Sequence, residues 1–545
     1  MMSRIFSSLI DQKLRQNMYK GCKTSIKGSN GTIQIELQRG VKQGDPLSPL
    51  LFNLAMDRLI EEISDQTHGI SIGESHASVL AFADDIVLLG RNREEAKNQL
   101  TRVQGYLTRL GMTLSAAKCC TFEIKSKEKS WYLTDPQLEV AGERVPMTEP
   151  GESLKYLGVK IGPWRGLVKG SEVPTIMESV RNVRELKLKP HQKLDILQNY
   201  ILPRFIYSLT NNQPAKGTLK MLDQQIRKEV KEILHLVTST ATGFFYTPKA
   251  KGGLGLIKFE RIIQLGTIRT HLRAGARKNL EGAARKCAQA LGARLPTNQE
   301  QYLGMKLRTA QRDTDDWANL PSQGQGVNDF RNDPIGNCWL TNMTMLKGGR
   351  LSDAIRMRTN TFGTRAVLGR TYRNVNTMCR KCKDKTETLG HILGQCIYTK
   401  DKRIRRHDQI KEFIAEKTAR RFTVFTEPTI RVGGELKKPD LVIRRGEEIV
   451  VADVTVRYEN RTYLKDAAKE KEDKYKTTAD TLTERIEGVV KGMVWPIVVG
   501  SRGVLPAKTK RTLKKLGMSK GDMMTIAMMA LRSSIEIANA FIDDR

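Results

Sequence analysis

The sequence predicts a multidomain α+β protein, and three observations carry that prediction. The chain has 545 residues, too many for a single hydrophobic core, so it divides into several domains. Apolar residues recur every second position in some stretches and every third or fourth in others, so strands and helices occupy separate runs. Its 92 Lys and Arg against 59 Asp and Glu leave a formal charge of +33. These basic residues are spread along the chain rather than gathered in a tail, which points to folded surfaces that bind a polyanion.

The elements follow in order. In "IQIELQRGVKQGDPLSPLLFN" the alternation of Ile33, Ile35 and Leu37 predicts a strand, then a glycine-containing turn. A helix follows, with Ser48 as N-cap, Pro49 at the first helical position and Leu51, Ala55, Leu59 and Ile63 on one stripe. "SVLAFA" and "IVLLG" flank Asp84 and Asp85 and predict a strand, a tight turn and a second strand. In "REEAKNQLTRVQGYLTRLGMTL" the positions Ala96, Leu100, Val103, Leu107 and Leu110 mark a helix that Gly111 stops. From 175 to 290 the pattern is helical, with Leu222, Ile226, Val230, Ile233 and Val237 on one stripe. Residues 295–350 are polar and aperiodic and read as a linker between domains. Past 435 strands return in "DLVIRR", "EIVVADVTV" and "GMVWPIVVG", with the helical, lysine-rich "LKDAAKEKEDKYK" among them.

The 8 cysteines do not form a secreted disulfide framework and suit a reducing compartment. No apolar run reaches the roughly 20 residues that span a bilayer, and the opening "MMSRIFSSLIDQKLRQNMYKG" has no signal-peptide core. The expectation is a soluble chain with no membrane partner.

Asp84 and Asp85 are adjacent acids inside an apolar run. Carboxylates at such a turn can hold the paired divalent metals of phosphoryl transfer, although a bare Asp-Asp also suits a solvated hairpin tip. The surroundings decide. "RGVKQGDPLSPLLFN", "AFADDIVLL", "GMTLSAAKC" and "YLGVKIG" stand in the order of the reverse transcriptase motifs, and the sequence resembles that family over this stretch. The resemblance implies that Asp84 and Asp85 are magnesium ligands. It places Arg39, Gly40, Gln43 and Gly44 at the nucleotide and template site and Lys118 near the incoming deoxynucleoside triphosphate. Residues 1–165 then correspond to a partial right-hand polymerase palm and 166–294 to a helical thumb. The family's further aspartate belongs to a motif ahead of "MYKGCKTSI", and Asp11, in a predicted helix, is no substitute. By this reading the fingers and first catalytic motif are missing, the chain is the C-terminal portion of a longer polyprotein, and it does not polymerise DNA alone.

Cys379, Cys382, His391 and Cys396, separated by two, eight and four residues, have the spacing of a closed tetrahedral zinc site. Residues 295–378 are read as linker and basic helical region and 379–396 as a zinc knuckle. From Gly349 to Lys383 there are nine basic residues, Arg350, Arg356, Arg358, Arg365, Arg370, Arg373, Arg380, Lys381 and Lys383, against the single acid Asp353, which favours a nucleic-acid partner. "RIRRHD" continues the basic run, and His407 within it is assigned a phosphate contact or a packing role.

In residues 397–545, "KPDLVIRRGEEIVVADVTV" sets Asp440 and Asp453 on two predicted hairpin strands, where their carboxylates can converge on one magnesium. Restriction-type nucleases use such a pair with a lysine that assists the attacking water or stabilises the developing phosphorane charge. The usual position of that lysine, two residues past the second acid, holds Thr455. Lys471 and Lys474 on the next helix share a face and are the alternatives, beside Glu470 and Glu472. The whole order resembles site-specific non-LTR retrotransposons of the R-two type, whose restriction-like α/β endonuclease carries its lysine on this helix. The resemblance implies RNA-directed DNA polymerase and endonuclease activities in target-primed reverse transcription at ribosomal RNA genes. It also implies magnesium and zinc, an element RNA template, a target DNA and a nuclear location. Two rivals are a non-enzymatic nucleic-acid-binding remnant, which degenerate acids would favour, and an intron-encoded reverse transcriptase with a maturase role, which usually ends in a different nuclease.

Overall fold

The computed structural model describes residues 21–275 and 296–543, apart from breaks at 22, 30, 37–40, 42–43, 65–67, 73–74, 170–171, 213 and 373. Arg39, Gly40, Gln43, Asp11 and Arg373 therefore lie outside the described residues. The chain divides into two compact units, residues 1–169 with 267–295, and residues 170–266 with 296–545.

The first unit is built from short antiparallel hairpins and two helices. β1 (Lys23–Gly28) pairs with β2 (Gly31–Glu36), and the alternating Ile33 and Ile35 are exposed. The alternation found the strand but not a buried face. α1 (Ser48–Ile63) has Leu47 at the cap position, so Ser48 is its first helical residue rather than its N-cap, with Pro49 beside it. Met56, Leu59 and Ile63 of α1 bury against Val103 and Leu107 of α2 (Arg93–Arg109). α2 ends as predicted: Gly111 takes φ 70, which lets the Met112 N–H return to the Leu107 carbonyl at 2.9 Å. The acid pair lies on the hairpin of β3 (Val79–Phe82) and β4 (Asp85–Leu88), and a further hairpin joins β5 (Leu154–Tyr156) to β6 (Val159–Gly162).

In the second unit, α3 (Val173–Glu185) and α4 (Lys216–Ile233) pack through Ile176, Val180, Leu222, Ile226 and Val230. Val237 lies past the end of α4 and is exposed. Asp223 of α4 caps α5 (Phe259–Gly275), accepting from the backbone N–H groups of Phe259 and Glu260 at 2.8 and 2.9 Å. Burial pushes its carboxyl up to about 6 despite those bonds. The folded state then holds its proton more tightly than the unfolded chain does, so Asp223 withdraws stability as pH rises from about 4 to about 6. Asp223→Asn is expected to remove that slope, read as the difference between wild-type and variant urea midpoints at successive pH values.

Residues 295–350 are not a linker. They form α6 (Gln299–Ala318) and several short helices, and Trp317, Phe330 and Trp339 among them are completely buried. The aperiodic polar character misled because many of these polar groups are internal hydrogen-bonding members of the core rather than solvated. Asp333 accepts from the Leu505 N–H at 2.6 Å, Asn337 donates to the Phe330 carbonyl at 2.8 Å, and Arg358 of α7 (Arg350–Arg358) donates to Asn337 at 2.7 Å. Arg502, fully buried, pairs with the equally buried Glu459 at 3.0 Å.

α8 (Leu389–Gly394) and α9 (Lys400–Ala419) lead into a four-stranded sheet in the order β7 (Thr423–Thr426), β8 (Leu441–Arg445), β9 (Glu448–Arg457), β10 (Lys491–Gly500). β8 and β9 are antiparallel and β9 and β10 parallel, joined by the crossover helix α10 (Tyr463–Arg485). On one face Val442, Ile449 and Val451 meet Tyr475 and Ala479 of α10. On the other, Leu441, Ile443, Val450 and Val454 meet Ile410 and Ile414 of α9, Leu513 of α11 (Ala507–Lys515) and Ile526 of α12 (Lys520–Asp543). Both faces are covered, which explains the near-continuous apolar run of β9. α12 is the one described helix long and apolar enough to cross a bilayer. It serves as a core helix, its residues shared between two apolar clusters.

Candidate functional site

Asp84 and Asp85 are exposed at the β3–β4 turn, so they carry no desolvation cost, contrary to what their apolar flanks imply. The turn is tight: Phe82 pairs with Asp85, and Ala83 takes φ 53. Burial, with a smaller push from Asp85, raises the Tyr156 phenol of β5. Gly44 takes φ 89 with open space around it, and Lys118 is exposed in a single 3-10 turn, Ala116–Lys118. Among the described residues no third carboxylate, cysteine or histidine joins Asp84 and Asp85 in a ligand cluster.

Cys379, Cys382, His391 and Cys396 converge, their donor atoms all within 4.8 Å of one another. The Cys379 and Cys396 sulfurs are 4.0 Å apart, close to the about 3.8 Å set by two 2.3 Å bonds at a tetrahedral ion. His391 turns Nε2 to Cys382 Sγ at 3.3 Å. The local chain explains the convergence. The turn after Cys379 closes through the Lys383 N–H to the Cys379 carbonyl at 3.0 Å, and Thr388 caps α8 by accepting from the His391 N–H at 3.0 Å. Arg403 covers the open end of α8, donating to the Gly394 and Cys396 carbonyls at 2.8 and 3.0 Å, and Arg406 donates to Leu393 at 3.0 Å. The donor set, three thiols and an imidazole in a buried pocket, suits zinc.

Part of the basic run is therefore structural. Arg380 holds the fully buried Glu387 at 2.8 Å, and Arg358 lies 3.8 Å over the Phe330 ring. Arg350 pairs with Glu536 at 3.0 Å.

Asp440 and Asp453 meet because of register. Leu441 pairs with Ala452, so the next residues outward, Asp440 and Asp453, face each other on the side of the sheet covered by α10. Asp453 is 3% exposed. Its Oδ2 accepts no well-aligned hydrogen bond but lies 2.8 Å from Lys471 Nζ. Of the two candidate lysines, Lys471 thus reaches the Asp453 carboxylate, whereas Lys474 Nζ lies over the Tyr475 ring at 4.8 Å. Tyr475 donates to the Lys438 carbonyl at 3.2 Å, and burial, reinforced by Asp453, pushes its phenol up.

His407 also belongs to this site. From α9 its Nε2 reaches Asp440 Oδ2 at 3.2 Å and the Val454 carbonyl at 3.1 Å, while Nδ1 meets Asp408 at 3.1 Å. The bond to Asp440 holds the imidazole up at about 9. The same Asp440 oxygen accepts the Val454 N–H at 2.7 Å. A buried acid beside a lysine, with a second acid opposite it on the neighbouring strand, suits a divalent cation and a phosphate. The sequence assigned His407 a phosphate contact or a packing role; the structure sets it beside Asp440. Its only sequence signal is a histidine near the start of the helix before the strands.

Residues 2–161 match the family described as reverse transcriptase (RNA-dependent DNA polymerase). Over 97% of its length the chain is 29% identical to a retrovirus-related Pol polyprotein from type-2 retrotransposable element R2DM of Drosophila melanogaster, covering 51% of that protein. It is 30% identical, over 77% of its length, to a Pol polyprotein from type-1 retrotransposable element R2 of Nasonia vitripennis, covering 40% of it. A Pol polyprotein of element R2 from Popillia japonica is 30% identical over 90% of the chain, which covers 70% of that relative. The chain thus spans about half the length of the first of these relatives. With a reverse transcriptase domain at one end and identity to R2 proteins running on through the cysteine cluster and the facing aspartates, the chain belongs to the Pol polyproteins of R2 retrotransposable elements.

Proposed function

We propose that the reverse transcriptase domain is followed by a thumb (166–294), a zinc knuckle (379–396) and a restriction-like endonuclease (397–545). In the whole protein these parts serve target-primed reverse transcription in the nucleus, into ribosomal RNA genes. The observation that carries the endonuclease is the buried Asp453 facing Asp440 with Lys471 Nζ at 2.8 Å. A divalent cation held by the two aspartates would polarise the scissile phosphate and acidify the attacking water. Lys471 stands ready to offset the charge that develops on the phosphorane oxygens. Asp440 is oriented by the Val454 N–H and by His407, and the Tyr475 phenol lies near Asp453. Asp84 and Asp85 would hold the metals of nucleotide addition, with element RNA as template, the nicked DNA as primer and deoxynucleoside triphosphates as substrates.

The test is magnesium-dependent nicking of supercoiled DNA carrying a ribosomal RNA gene by the zinc-loaded chain. Nicking is expected, and Asp453→Ala should remove it. Binding without nicking at full zinc occupancy would overturn the endonuclease reading. His407→Ala is expected to slow nicking about tenfold and to raise the magnesium concentration for half-maximal rate, because Asp440 loses an orienting partner.

A further inference from the structure

The pairing of β7 with β8 runs on to the facing aspartates. Thr426 pairs with Leu441, and one step outward the Glu427 N–H donates to the Asp440 carbonyl at 2.8 Å. Glu427 makes that bond from an unfavourable conformation. Its φ is 50, in the left-handed region that long side chains rarely adopt, and the following Pro428 favours extended backbone instead. Nothing local favours this turn, so contacts from elsewhere in the fold hold it.

Two lysines supply those contacts. The Glu427 carboxylate accepts from Lys411 of α9 and pairs with Lys438 at 2.8 Å. The Lys411 side chain is only 9% exposed, so its ammonium needs anionic partners. Its second partner is Asp408 Oδ1 at 3.2 Å, the same atom that faces His407 Nδ1 at 3.1 Å. His407 Nε2 in turn reaches Asp440 Oδ2 at 3.2 Å. The contacts close into a ring: Asp440, His407, Asp408, Lys411, Glu427, and back to Asp440 through the Glu427 N–H. Without the Glu427 carboxylate, Lys411 keeps Asp408 as its one acidic partner among the described residues and draws it away from His407. Lys438 lies two residues before Asp440. Glu427 therefore grips the segment entering Asp440 twice, by its N–H and by its carboxylate.

We infer that Glu427 is a positioning residue: through Lys411 and Lys438 its carboxylate fixes both the backbone and the His407 contact that aim Asp440, a role that rests on reading Asp440 and Asp453 as ligands of a divalent cation. The experiment titrates manganese, a paramagnetic probe, against the full zinc-loaded chain and its Asp453→Ala variant, with free ion followed by electron paramagnetic resonance. The difference between the two curves isolates the site at the facing aspartates. Glu427→Gln is expected to weaken that site roughly three- to tenfold, and to raise the magnesium concentration for half-maximal nicking by a similar factor. DNA affinity should stay within about twofold, since the residue acts on the metal centre. Glu427→Gly suits the backbone at φ 50 while deleting the carboxylate, so it should weaken manganese as much with the melting temperature within about 3 °C of wild type. His407→Ala combined with Glu427→Gln should cost less than the two single losses multiplied, because both act on Asp440 by one route. Asp522→Asn breaks the Lys417 pair near the far end of α9 and should leave the site unchanged. Unaltered manganese affinity in both Glu427 variants, equal weakening in Asp522→Asn, or no Asp453-dependent site in the unmutated chain overturns the inference. A manganese site weakened by Glu427→Gln in a chain that never nicks supports the positioning role and sinks the endonuclease. Nicking and metal dependence that Glu427→Gln leaves untouched do the reverse.

Discussion

Lys471→Ala is expected to cut the nicking rate by about 10²- to 10³-fold, whereas Lys474→Ala costs less than about tenfold. The two lysines are one helical turn apart, and the difference lies in what each meets. Lys471 Nζ sits 2.8 Å from a carboxylate that is almost wholly buried. Lys474 is spent on the Tyr475 ring, a contact worth about 1 kcal/mol or less where water reaches it. Single-turnover nicking of supercoiled DNA checks this directly, with DNA affinity measured in parallel to show that Lys471→Ala acts on the chemical step. Equal losses in the two variants would remove Lys471 from its assigned role. Lys471→Ala should also leave the unpaired Asp453 carboxylate buried, so a fall in melting temperature is expected, and Asp453→Ala, Lys471→Ala together should restore part of it.

Metal removal should have the largest effect on stability. Structural zinc contributes on the order of 10 kcal/mol in small domains at neutral pH, and here the cluster is not peripheral: Cys379 and Cys396 sit in the same apolar core as Leu389, Ile392, Trp339 and Leu531. Chelation, or Cys379→Ser, is expected to lower the melting temperature by more than about 10 °C and to release one zinc per chain, followed by a colorimetric metal assay and circular dichroism. Cys338→Ala is the control. Cys338 is also buried yet outside the cluster, so it should cost stability without releasing metal. Intact folding after complete chelation would show that the four side chains converge for packing alone.

Local spacing made much of this legible in the sequence. The cysteine and histidine intervals, the stripe of α4, the glycine stop of α2 and the strands carrying Asp440 and Asp453 all follow from interactions within a few residues of one another. Three of the failures share one cause, which is distance along the chain. His407 joins Asp440 from 33 residues upstream, on a helix whose own pattern shows only a basic face. Choosing Lys471 over Lys474 depends on how α10 is rotated against the sheet, which Tyr475 and Ala479 settle by packing on Val442, Ile449 and Val451. The stretch 295–350 looked solvated because its Asp333, Asn337 and neighbouring Arg358 find partners only after folding. Even the exposure of Asp84 and Asp85 reflects the turn at Ala83 rather than the apolar flanks.

α12 gives residues to two apolar clusters and packs on α7, α8 and α9. During synthesis those three helices leave the ribosome long before it does. At about 5 to 20 residues per second, the interval between α7 and α12 is on the order of ten seconds. Over that time Trp339, Ile355, Ile392 and Ile410 have no lid. The unit is thus obliged to fold late and as a whole, and a nascent chain of this kind should depend on a holding chaperone until α12 arrives.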